Sequence, residues 1–141
     1  MTARSCVAAL ALLAAPLAAS AETPDWPASV VCSLGEATVC TQEGCHEASL
    51  ETLDVPRLVR LDFAEGVMHA VTPQHHGRRS SFEVVERGET QLVLQGYENG
   101  RAFSAVLDEL GTLAISAATG GTTFSVFAEC TDLALIVEVG Q

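Results

Sequence analysis

The chain has 141 residues, 48% of them hydrophobic, and carries seven arginines, no lysine and eighteen carboxylates for a formal net charge of −11 at pH 7. Such a surface repels phosphate backbones and anionic lipid headgroups, which argues against nucleic-acid binding and against peripheral membrane attachment. The length fits one domain and is too short for two ordinary ones.

Arg4, an apolar run from Cys6 through Leu17, and Ala19-Ser20-Ala21 ahead of Glu22 follow the charged, apolar, small-residue order of a secretory signal peptide. Residues 1–21 are therefore expected to be removed, with cleavage after Ala21. The apolar run falls short of the about twenty residues that a membrane-spanning helix needs. Cys6 opens that run, whereas a lipid-accepting cysteine would follow it, so it belongs to the discarded segment. Loss of Arg4 leaves six arginines against eighteen carboxylates, a net of −12 with histidine neutral. The expected location is periplasmic or secreted, with no membrane association after cleavage, and a cationic partner would be attracted.

Residues 22–31 read as an extended leader containing Pro24, Trp26 and Pro27, and the indole of Trp26 is expected to plug one end of the core. A single domain is expected over 32–141. It holds Cys32, Cys40, Cys45 and Cys130, and in an oxidising compartment an even count reads as disulfides. Cys40 with Cys45 is favoured across the turn Thr41-Gln42-Glu43-Gly44, leaving Cys32 with Cys130 to tie the start of the domain to its end. A zinc site is disfavoured because the gaps from Cys32 to Cys40 and from Cys40 to Cys45 exceed the usual spacing of a zinc knuckle.

Residues 46–56 include Ala48-Ser49-Leu50-Glu51-Thr52-Leu53, which predicts a helical turn ended by Pro56. From Arg57 onward, short alternating runs are punctuated by Gly66, Gly77, Gly88, Gly100, Gly111 and Gly120-Gly121, the pattern of strands joined by tight turns that use positive φ. Asn99-Gly100 is the clearest, a favoured type I′ pair between two alternating runs. Leu92 and Leu94, then Phe103, Ala105 and Leu107, then Leu113, Ile115 and Ala117, then Phe124, Val126 and Ala128 each fall at period two. They predict one apolar face through four successive strands. Leu133 to Val139 is expected to dock as a final strand. The fold expected is all-β: a small antiparallel up-and-down meander of about seven or eight strands, disulfide-stapled and closed as a barrel, with a β-sandwich as the alternative.

His69, His75 and His76 cluster in sequence, and imidazole suits zinc or copper, so these three are the candidate metal ligands. His75, His76, Arg78 and Arg79 form a basic loop able to grip a carboxylate or phosphate, since guanidinium presents a planar fork of donors. The competing expectation is a solvated loop paired with Glu83 and Glu86. Glu36, Glu43, Glu47, Glu51 and Asp54 gather on the N-terminal side without a calcium-loop pattern. No serine sits in a Gly-x-Ser-x-Gly elbow, no phosphate-cradling loop occurs, and no catalytic residue or cofactor is assigned.

The order of signal peptide, early cysteine, alternating hairpin strands and closing Phe127-Ala128-Glu129-Cys130 resembles small secreted bacterial β-barrel proteins, among them periplasmic inhibitors of c-type lysozyme. The resemblance covers architecture and implies an early and a late cysteine joined around a small barrel. The serine and basic residue of that family's inhibitory loop align with no position here. The expectation is thus a non-enzymatic binding or inhibitory module with an unknown protein partner, a cationic one being favoured by the acidic surface. Its alternatives are periplasmic copper or zinc binding through the loop histidines, and a structural envelope component that pairs strands through its apolar C-terminal run.

Overall fold

The computed structural model describes residues 25–132. The expected signal peptide and the apolar run 133–139 lie outside them. Nine strands follow in order: β1 (Ser29–Thr41), β2 (Gly44–Ala48), β3 (Leu58–Asp62), β4 (Val67–Ala70), β5 (Arg79–Arg87), β6 (Gln91–Glu98), β7 (Arg101–Asp108), β8 (Thr112–Thr119) and β9 (Thr122–Asp132). One 3₁₀ turn, Pro73–His75, lies between β4 and β5.

Every pairing is antiparallel, and β3 through β9 run as a meander in which each strand bonds its successor. β1 closes the ring. Its first half pairs with β3 over Ser29–Ser33, while β9 lies along its other flank from Val30 to Cys40. The result is a closed eight-stranded antiparallel barrel, not a sandwich. β2 stands outside that count: it folds back on Ala37–Thr41, occupying the flank that β3 has left, and makes a two-stranded arm. The register of β1 against β9 shifts between Leu34 and Ala37, the kind of irregularity that bends a strand and increases its twist.

The alternating side chains fill the barrel as expected. Leu92, Leu94, Leu107 and Leu113 are each no more than 2% exposed, and Phe103, Ile115 and Val126 pack against them. Trp26 covers one end, its Nε1–H donating to the carbonyl of Gly88 at 3.1 Å. Near that end Cys32 and Cys130 face each other across β1 and β9 and are joined as a disulfide. A second disulfide joins Cys40 to Cys45 across the arm. These are the two pairs favoured from the spacing.

Two local expectations need correction. β1 begins at Ser29, inside the stretch assigned to the leader, because Val30, Cys32 and Leu34 already alternate into the core. The helical turn expected over 46–56 forms as a single turn after β2 ends at Ala48: the Leu53 N–H bonds the Ser49 carbonyl at 3.3 Å, and the N–H groups of Asp54 and Val55 close on the carbonyls of Glu51 and Leu50 at 3.1 and 2.9 Å. Leu50 in that turn is 2% exposed and lies against the barrel opening. Asn99 and Gly100 both have positive φ, 48° and 77°, as a type I′ turn requires. Gly88 and Gly120, however, are not among the glycines with positive φ; the Gly88 N–H meets the Gln91 carbonyl at 2.9 Å, which closes that turn without a left-handed residue.

Candidate functional site

The barrel end opposite Trp26 is not filled by its own walls. Residues 49–56, which join β2 to β3, cross this opening as a strap that lowers Leu50, Leu53 and Val55 onto it. The strap is held locally by the Ser49 hydroxyl, which accepts the Thr52 N–H at 3.2 Å. Asp54 then turns the chain with φ at 53°, a left-handed conformation that aspartate tolerates better than most residues. Below the strap is a cavity of about 110 Å³, walled mainly by apolar side chains that include Leu94, Phe103, Leu113, Ile115 and Val126.

Four polar side chains line the same space: Arg78, Ser80, Glu98 and Arg101. All continue the inward alternation of their strands. Leu92 and Leu94 lead at period two to Glu98 on β6, Phe103 leads back to Arg101 on β7, and Phe82 leads back to Ser80 and Arg78. Arg78 Nε donates to Glu98 Oε1 at 2.5 Å, with side-chain exposures of only 18% and 19%. The Glu98 hydrogen bond raises the pKa of Arg78, an effect that burial partly opposes and the charges of Glu98 and Asp54 reinforce. Arg78 Nη1 also donates to the Asp54 carbonyl and lies 3.5 Å from Asp54 Oδ2, which ties the strap to the wall.

Arg101 is held differently. Its guanidinium stacks 5.3 Å from the ring centroid of Phe124, and Nη1 reaches the Leu53 carbonyl at 3.4 Å. Among the described residues, every ion pair of an arginine belongs to Arg57, Arg60, Arg78 or Arg79; Arg101 forms none, its cross-strand neighbour Glu98 being paired with Arg78. Ser80 is 5% exposed, and its hydroxyl makes no hydrogen bond to another described residue.

The basic loop expected from sequence does not act as a unit. Arg78 turns inward and is neutralised. Arg79 is exposed and lies 3.7 Å from Glu65, so the acidic partners of the pair are Glu98, Asp54 and Glu65 in place of the expected Glu83 and Glu86. His75 uses both ring nitrogens, Nε2 at 3.0 Å from Asp54 Oδ1 and Nδ1 at 3.2 Å from Thr72 Oγ1. His76 is exposed beside it, while His69 lies on β4 with Nε2 3.8 Å from Glu65. Among the described residues, no group of three or more His, Cys, Asp or Glu side chains is placed to hold a metal ion. His69, His75 and His76 are thus not gathered as a ligand set.

Arg101, Glu98, Ser80 and the strap were not singled out from sequence. The first three were legible in principle, because extending the apolar alternation by one or two steps past Leu94, Phe103 and Phe82 puts polar residues on the inward face. The strap was not, since only the finished barrel creates the opening it covers. Comparison with protein-family models, with curated proteins and with solved structures gives no match to this chain.

Proposed function

We propose that the protein is an exported, non-enzymatic binding module, acting in the periplasm or outside the cell, and that it binds through the strapped mouth of its barrel. The observation that carries this reading is the apolar cavity of about 110 Å³ beneath a segment without regular secondary structure. Concave apolar space with a few convergent polar groups is the usual form of a small-molecule site. The two disulfides support export, since thiols of cytosolic proteins are normally kept reduced.

The test is a thermal-unfolding screen of the full chain against small apolar and amphiphilic solutes, repeated on an Ala117→Phe variant in which the added ring occupies the cavity. Solutes that raise the melting temperature of the parent are expected to lose their effect on the variant. If all of them keep it, the mouth is not the binding site.

A second reading, recognition of a cationic protein, has its own support. Glu36 on β1, Glu43 and Glu47 on the arm and Glu51 and Asp54 on the strap are all exposed. A pull-down against cationic hydrolases is expected to yield a partner at low salt that is released at high salt. Recovering no salt-sensitive partner would end that reading.

A further inference from the structure

Resting on the assignment of the mouth as a binding site, we infer that its ligand is a small anionic amphiphile: a monocarboxylate whose compact apolar body fills the cavity and whose carboxylate meets Arg101. Size bounds the body. A cavity of roughly 150 Å³ lined by aliphatic and aromatic side chains admits benzene, so about 110 Å³ takes at most a ring or an alkyl chain of about six carbons. A longer chain has to lift Leu53 and its neighbours on the strap.

Charge selects the head. Arg78 is already matched by Glu98 and Asp54, so it offers an incoming anion little. Arg101 lines the same cavity, is half-buried, and forms no ion pair among the described residues. Its present partners are a ring face and one carbonyl at 3.4 Å, longer than a normal N–H···O bond. An incoming carboxylate can replace that long bond with two short charge-assisted ones. In a chain of net charge −11, an arginine at the edge of an apolar space whose cross-strand neighbour Glu98 is committed to Arg78 is open to an anion that the protein does not itself supply.

The experiment is calorimetric titration of the disulfide-bonded chain with hexanoate and phenylacetate, beside 1-hexanol as a neutral match and hexylamine as a cationic one. Both carboxylates are expected to bind at least tenfold more tightly than the alcohol, and the amine not to bind. Arg101→Gln is expected to weaken carboxylate binding at least tenfold while leaving the alcohol unchanged. Arg101→Lys, which keeps the charge without the fork, is expected to fall between and covers the case in which the glutamine variant folds poorly. Alcohol binding equal to that of the acid, or carboxylate binding indifferent to both Arg101 variants, overturns the inference and leaves the binding module intact. If none of these solutes binds and other solutes still bind in the mouth, the inference falls alone. If no solute of any charge binds there, both fall.

Discussion

Glu98 holds the most enclosed charge contact at the mouth, and its neutralisation leaves the Arg78 guanidinium, which has little access to water, only the exposed Asp54 carboxylate at 3.5 Å. Glu98→Gln is expected to destabilise the fold by roughly 2–4 kcal/mol, while the double replacement Arg78→Met, Glu98→Leu costs less than the single one, because no charge is then left unmatched. Urea unfolding of both variants checks this. The pKa of Arg78 is raised in the folded state, so its contribution is fully present below the unfolded-state value and fades only as pH rises through the folded one. That window lies above neutrality by several units, and the contribution of Arg78 is expected to be constant from about pH 6 to 9. A second residue-scale case is Gly111, where φ is 89° and an added Cβ would lie 2.5 Å from the Cys130 carbonyl oxygen. Gly111→Ala is expected to lower stability by about 1–3 kcal/mol in the same assay, combining left-handed strain with a clash against fixed backbone.

Among the elements, the two disulfides act on different lengths of chain. Cys32–Cys130 spans 98 residues and Cys40–Cys45 spans 5. If closing the unfolded chain is the main effect, replacing the first pair by serine costs about 4.7 kcal/mol and the second about 2 kcal/mol. Denaturant titration of the two double variants is expected to show that order; equal losses would mean that native packing, not loop length, sets the contribution. The elements also differ in how far they could be read from sequence. β6 through β9 were legible because each carries an uninterrupted apolar face between glycine-bearing turns. β2 was implied by its cysteine pair alone, since Gly44 to Glu47 are all exposed and present no apolar side to count. The strap was legible only in part: the helical spacing of Leu50 and Leu53 matches its single turn, closed by Leu53 N–H on the Ser49 carbonyl, but local spacing carries no record of an opening formed by strands about fifty residues later. Metal binding was suggested by histidines adjacent in sequence, and an inward–outward alternation then sent their neighbours Arg78 and Arg79 to opposite sides of the wall.

For the whole molecule, an excess of negative charge repels itself in the compact state. Raising ionic strength from about 10 to 150 mM, which shortens the screening length from roughly 30 to 8 Å, is expected to raise the thermal midpoint by a few degrees. Scanning calorimetry at the two salt concentrations checks it, and an unchanged or lower midpoint would show that the attractive pairs outweigh the repulsion.

Because β1 bonds β9 along most of its length, the barrel cannot shut until nearly the last described residue is available. A polypeptide emerging from its amino end therefore exhibits β1 with one flank bare until β9 has emerged. Bare flanks of this kind recruit strands from other molecules, and ring closure over so large a separation is slow. Timing, more than final strength, is where this topology is vulnerable: its yield will be governed by whatever shields β1 in the interval before β9 arrives.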